Sequence, residues 1–318
     1  MRVIDLVLAG AIAVSGQTDF LVEGLSRFER GDYLGAEANL EKALAAGEDP
    51  RARVFLALAR AATGRCQMVE AALEKEFTEN SDATLRRLAG LGAVQCSLAR
   101  GDYDRAYPLV ARLKELAPSD PDVLYQAARL HMRAWNDTIY QMFQRAPASY
   151  RVNQISAEIF EIQGKFAEAV AEYRKAIEKN PAALNLHYCL GRALLMESHT
   201  PEALGKAKQE FEAELALNPN DAVAEYQVAQ ILTAQQRSGE AKARLERAIA
   251  LQPQFSEALV ALARLLLEEK KNEEAIALLE RAVKAAPRSE PARYNLMRAY
   301  RNAGRLDEAR RQQEELNK

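Results

Sequence analysis

The sequence predicts an all-α protein made of stacked antiparallel helix pairs, on three observations. First, the phrase AVAEYRKAIEKNP (Ala169–Pro181) returns as AKARLERAIALQP (Ala241–Pro253) and AIALLERAVKAAP (Ala275–Pro287). Second, Pro219, Pro253 and Pro287 follow one another at steps of 34 residues, and Pro181 to Pro219 is a step of 38. Third, small residues recur at fixed offsets: Ala169, Ala207, Ala241 and Ala275 lie twelve before each proline, and Ala157, Gly191, Ala229 and Ala263 stand earlier in each unit. A period of this length holds one helix–turn–helix, whose apolar face is buried only against neighbouring copies.

At the N-terminus, Arg2 precedes an apolar or small run, Leu6 to Val14, and Ala13-Val14-Ser15 and Val14-Ser15-Gly16 offer small residues for cleavage. Residues 1–16 read as a secretory signal peptide, too short to span a bilayer permanently. Asp5 near the apolar stretch and the single preceding charge keep a cytosolic first helix as the alternative. No Cys follows the run, which excludes a lipid anchor at that site.

Residues 17–148 carry a degenerate form of the period. Arg27 to Gly47 fits, with Gly31 at the turn, Ala36, Leu40 and Ala43 in place and Gly24 earlier. Arg51 to Asn80 reads as a weaker pair around ATGRCQM, and Leu98 to Pro118 fits again with Gly101 at the turn and Ala106. Asp122 to Pro147 is expected to be a trimmed pair, VLYQAARLHMRAW then DTIYQMFQRAP, because Pro118 to Pro147 is only 29 residues. Ala134 to Ser149 is then the weakest joint, and Trp135 is expected to fill it.

Residues 149–318 form the regular array, continuous with the preceding part; roughly nine pairs are expected in all. An aromatic or Leu lies eight before each proline (Tyr173, Phe211, Leu245, Leu279), filling the gap between neighbours. Five before stand Ala176, Glu214, Ala248 and Ala282, with Glu214 the one departure. Proline ends each second helix because it lacks the amide donor and clashes with the preceding turn. The four extra residues precede Thr200, a good N-cap, and Pro201, a good first helical residue, so that helix is expected from Pro201 to about Leu217. The final helix, RLDEARRQQEELNK, is polar, with Gln313 at the aromatic position; it is expected to cap the array.

This pattern resembles the tetratricopeptide repeat, most strongly from about Tyr150 to Lys318. The resemblance implies a right-handed superhelical solenoid, a non-enzymatic protein-interaction role, and a concave groove lined by the first helix of each pair. Secreted or periplasmic bacterial members of the family are the nearest in kind. On those helices Tyr188, Tyr226, Val260 and Tyr294 occupy one matching place, and Arg192, Gln230, Arg264 and Arg298 stand four residues on. Four residues is one turn, so both rows point the same way. Arg301 and Asn302 extend the ladder. Tyr and Arg dominate interface energetics, and Arg forks onto carboxylates. The expected partner-binding groove is therefore Tyr188, Arg192, Tyr226, Gln230, Arg264, Tyr294, Arg298 and Arg301, holding a polypeptide segment with acidic groups. The competing reading packs each Tyr against a neighbour and pairs each Arg with Glu in water. Gln154 and Glu158 break the ladder upstream. The Lys and Asn set of the chaperone-binding members is missing, so that role is not implied.

The rest is exclusion. Net charge is −2, with no basic field for a nucleic acid backbone short of a local strip. There is no GxSxG, phosphate loop, GxGxxG or metal-ligand spacing, so neither catalysis nor a cofactor or metal is expected. Acidic residues fall among Arg and Lys at helical spacings, as solvated surface does. Cys66 and Cys96 lie on neighbouring units and form a disulfide if the chain is exported, two buried thiols otherwise. Cys189 and His187 read as packing residues. The rival to a peptide groove is a constitutive subunit of an enzyme or envelope-assembly complex, using its convex face or N-terminal half; an enzyme with an unrecognised site ranks third.

Overall fold

The computed structural model describes residues 15–317, among which there are seventeen α-helices and no strand. Most of the expected leader, residues 1–14, lies outside the described residues. The chain forms two compact units, Met1–Gln144 and Arg145–Lys318.

In the first unit α1 (Ser15–Glu29) pairs with α2 (Tyr33–Ala46), α3 (Pro50–Ala62) with α4 (Cys66–Glu79), and α5 (Ala83–Arg100) with α6 (Tyr103–Leu116). Asp32, Asp49, Asp82 and Asp102 start four of these helices, each side chain accepting a backbone N–H of the first turn. The first helices of adjacent pairs also touch, α1 on α3 and α3 on α5. One core runs through them, with Leu25, Leu40, Ala59, Leu73, Ala89, Ala93 and Leu113 fully buried. The Sγ atoms of Cys66, first residue of α4, and Cys96, buried in α5, are bonded at 2.13 Å, tying the second pair to the third.

The segment expected to fold as a trimmed pair does not. It is one helix, α7 (Pro121–Arg145), 25 residues long. The stretch from Ala134 to Thr138 holds no Gly and no Pro, so nothing there frees the backbone to turn; the proline spacing alone had suggested a pair. Trp135 therefore fills no joint: it lies mid-helix and is 48% exposed. Only Val123, Ala127 and Leu130 of α7 are buried.

The second unit holds five pairs: α8 (Tyr150–Ile162) with α9 (Phe166–Lys179), α10 (Leu186–Glu197) with α11 (Pro201–Leu217), α12 (Ala222–Ala234) with α13 (Ser238–Leu251), α14 (Ser256–Glu268) with α15 (Asn272–Ala285), and α16 (Glu290–Asn302) with α17 (Leu306–Leu316). Eight pairs and one single helix thus replace the roughly nine pairs expected. The small residues sit where helices touch. A Cβ on Gly191 would lie 2.8 Å from the fully buried Phe211 ring. α11 begins at Pro201 with the Thr200 hydroxyl accepting the Ala203 N–H. Gly164 and Gly304 turn the first and last hairpins at positive φ, whereas Gln236 and Lys270 do so for α12–α13 and α14–α15, at φ 61 and 59°.

Glu214 is a departure with a purpose. Its buried carboxylate reaches the start of α10 and accepts the Asn185 and Tyr188 backbone N–H groups at 2.8 and 3.3 Å. Asn185, at φ 70°, gives α10 no side-chain cap of its own, so Glu214 supplies from the next helix the acceptor the first turn needs.

Candidate functional site

The eight expected groove residues lie on the first helices of four successive pairs: Tyr188 and Arg192 on α10, Tyr226 and Gln230 on α12, Arg264 on α14, and Tyr294, Arg298 and Arg301 on α16. Their surroundings divide them into two groups.

Tyr188 and Arg192 are engaged within the unit. The Tyr188 ring packs on Phe211, centroids 5.6 Å apart. Arg192 Nη2 lies 2.6 Å from Glu161 Oε2, and the Tyr173 hydroxyl donates to the same oxygen at 3.1 Å. Burial alone would lower the Arg192 pKa; the charge of Glu161 and its hydrogen bond outweigh that and raise it. Cys189 beside them is free and half-buried, its thiol pushed up by burial. Here the bland reading, Tyr packed and Arg paired, describes the geometry. His187 is likewise half-buried, with Nδ1 2.6 Å from Glu210 Oε2.

The remaining residues are open. Arg264, Arg298 and Arg301 are exposed and make no side-chain hydrogen bond or ion pair among the described residues. Tyr294 is 55% exposed. A hollow of about 310 Å³ opens between α12 and α14, lined by Tyr226, Gln230, Glu257, Val260 and Arg264, with Ser289 and Pro291 at the start of α16. Its position has a sequence cause: Val260 is the one aliphatic residue in the aromatic row, and the missing ring leaves the space. Tyr226 forms one wall, half-buried with its ring 5.1 Å from Phe255. Burial first, and the Glu257 charge second, push its hydroxyl up, against a lowering by Arg264. The hollow thus combines an apolar floor, an amide, a phenol and an unpaired guanidinium. Tyr188, Arg192, Tyr294, Arg298 and Arg301 do not line it.

Sequence reasoning missed a larger hollow of about 710 Å³ in the first unit, lined by α2, α3 and α4 and including Leu44, Arg53, Leu56, Arg60 and Met68. Its arginines are already paired: Arg53 with Glu76 at 2.8 Å, and Arg60 with Glu37 and Glu41 at 2.9 and 2.6 Å. The one cue in the sequence is Met68, 69% exposed, just beyond the ATGRCQ turn. The buried carboxylates are structural too. Glu70 meets Ser97, Arg100 and Arg105, and Glu225 meets Arg244 and Arg247 at 2.9 and 2.8 Å.

Comparison with known proteins gives the following. Family models described as tetratricopeptide repeat match residues 21–67 and residues 232–289 and 266–317, and one described as TPR repeat matches residues 157–197; together they span more than half the chain. No curated protein matches. Among solved structures, similarity is found to MamA (21% identity over 50% of this chain and 91% of that chain, TM-score 0.45). It is also found to YrrB, a TPR protein described with an unusual peptide-binding site (20% identity, 56% and 90% covered, TM-score 0.45). A third is residues 41-end of MamA from Desulfovibrio magneticus RS-1 (18% identity, 52% and 92% covered, TM-score 0.47).

Proposed function

The chain belongs to the tetratricopeptide-repeat family, and from that premise we propose that it is a non-enzymatic interaction scaffold whose second unit holds an extended polypeptide segment along its first helices. The observation that carries this is the hollow at Val260 beside the unpaired Arg264. An apolar side chain of the segment enters the hollow between Tyr226 and Val260. Its carboxylates meet Arg264 and, further along, Arg298 and Arg301. Glu257 on the rim disfavours an acid next to the entering side chain. A desolvated apolar anchor provides most of the affinity, and exposed charges mainly steer and set register. Arg192, held by Glu161, positions its own helix and contributes little to the segment.

Peptides selected from a random linear library on the full chain test this. They should carry an apolar anchor and acidic residues. Val260→Tyr restores the missing ring, fills the hollow and should weaken them at least about tenfold, roughly 1.4 kcal/mol. Arg264→Glu with Arg298→Glu and Arg301→Glu should weaken them and reverse the sign of their salt dependence, since added salt then screens a repulsion. Peptides that bind all variants equally would move the contact off this face, favouring a constitutive subunit that docks through the first unit.

We also infer that the protein works in an oxidising compartment outside the cytoplasm. The Cys66–Cys96 bond supports this, as does the leader-like start of the sequence. Intact mass of the native protein checks it: two free thiols at these positions and an uncleaved N-terminus would refute the inference.

A further inference from the structure

α7 is the one described helix without an antiparallel mate. Every other first helix lies against the second helix of its own pair, and α7 has no such neighbour. Its buried stripe, Val123, Ala127 and Leu130, faces the core of its unit and ends there. A second apolar stripe runs along the opposite side. Tyr125, Ala128, Met132, Trp135, Ile139 and Met142 alternate three and four residues apart, the 3.5-residue period of a coiled-coil seam. Tyr125, Met132 and Trp135 are 62, 58 and 48% exposed, and Phe143 beside them 40%. A helix face of this composition is costly to leave in water and is patterned to receive another helix.

We propose that this face is a homodimer interface, in which α7 of a second copy packs antiparallel and supplies the missing mate. The flanking positions select a second copy. With the two helices crossing at Asp137, Trp135 faces Ile139 of the other copy and Met132 faces Met142, so large and smaller side chains alternate along the seam. Asn136 faces Asn136 and Thr138 faces Thr138, polar pairs that satisfy each other. Arg129, whose guanidinium lies over its own Tyr125 ring at 5.7 Å, comes level with Phe143 of the other copy, and Arg145 with His131, so no arginine faces an arginine. No acidic residue occupies the flanks of the seam, and none is needed by a surface that matches itself under a twofold axis. Aromatic side chains contribute roughly 150–250 Å² each when buried. Trp135 and Phe143 from each copy, with the exposed Met132, the partly buried Ile139 and Met142 and the flanking polar side chains, bring the contact toward the roughly 1,000 Å² a specific interface requires. This interface lies in the first unit and is independent of the peptide groove.

Trp135 is the only tryptophan in the chain and reports directly on the seam. The full chain, followed by sedimentation velocity from about 1 to 100 µM, the range suited to an interface of this size, should pass from monomer to dimer. Trp135 emission should move to shorter wavelength in parallel. Met132→Glu with Ile139→Glu should weaken dimerisation at least about tenfold and leave circular dichroism unchanged. Leu34→Glu, at a site 67% exposed on α2, should dimerise like the natural chain. In a Cys189→Ser background Asn136→Cys should cross-link between copies, and Tyr125→Cys should not. A monomer throughout the range overturns the proposal, as does a dimer indifferent to the two glutamates, cross-linking through Tyr125→Cys instead, or capture of a different protein on this face by a chain that stays monomeric.

Discussion

Replacing Glu214 by alanine restores the residue type found at the equivalent place in the neighbouring pairs, Ala176, Ala248 and Ala282, yet should destabilise the second unit. The carboxylate accepts two backbone amides at 2.8 and 3.3 Å in the first turn of α10. Hydrogen bonds to a charged group contribute about 1.5–3 kcal/mol, and a lost cap typically costs about 1 kcal/mol. Against this stands the cost of holding the carboxylate fully buried, which Glu214→Ala relieves. The loss of two amide partners outweighs that relief, because no other acceptor in the first turn of α10 replaces the carboxylate for the partly buried Tyr188 amide. The net expectation is about 2 kcal/mol, or roughly 4–8 °C in Tm for a unit of this size. Glu214→Gln keeps one acceptor but turns an NH2 toward an amide, and should lose about half as much. Thermal unfolding gives the magnitude. Because repeat arrays depart from two-state behaviour, hydrogen exchange at Asn185 and Tyr188 gives the place: both amides should exchange faster in Glu214→Ala. An alanine variant as stable as the natural chain, with unchanged exchange at those amides, would refute the capping argument.

Three further outcomes are expected. Gly205→Ala, where an added Cβ meets nothing within 4 Å, should stabilise by up to about 1 kcal/mol, whereas Gly191→Ala drives a methyl to 2.8 Å from the buried Phe211 ring and should destabilise by about 1–2 kcal/mol; urea midpoints of the two should move in opposite directions. Cys66→Ser with Cys96→Ser opens a cross-link between residues 30 apart and should cost the first unit about 3–4 kcal/mol, with exchange in the second unit unmoved as the control. The hydrogen bond from Arg65 lowers the Glu37 carboxyl below its usual range, burial opposes this, and Arg60 adds to the lowering. A depressed native pKa means that this stability is complete above about pH 4.3 and is lost as pH falls through the lower native value; Glu37→Gln should flatten the fall in urea midpoint between about pH 5 and 3 relative to the natural chain.

Much of the fold could be read from residue types because each repeat solves the same steric problem. Thr200 and Pro201 start α11, and Leu217 ends it, where the extra four residues placed them. Gly191 was readable as a close approach. What failed was arithmetic standing in for chemistry: 29 residues between prolines suggested a short pair, but α7 holds no Gly or Pro after its first residue. At the groove, spacing gave the direction of each side chain and not its company. Tyr188 meets Phe211 on the second helix of its own pair, and Arg192 meets Glu161 on the preceding pair; a one-dimensional period does not report what meets a side chain twenty to thirty residues away. Glu214 looked like an error in the pattern for the same reason: its partners are amides, which every residue has.

The covalent tie between the second and third hairpins changes how the first unit comes apart. An untied stack melts as a zipper, one hairpin at a time from its most weakly buried hairpin, and in the second unit α17, where Ala309 is the one buried residue, belongs to such a hairpin. Hairpins joined through Cys66 and Cys96 cannot separate, so an advancing melting front must take both or halt between them. Reduction would therefore do more than lower stability: it would turn a block that melts all at once into one that unravels in steps.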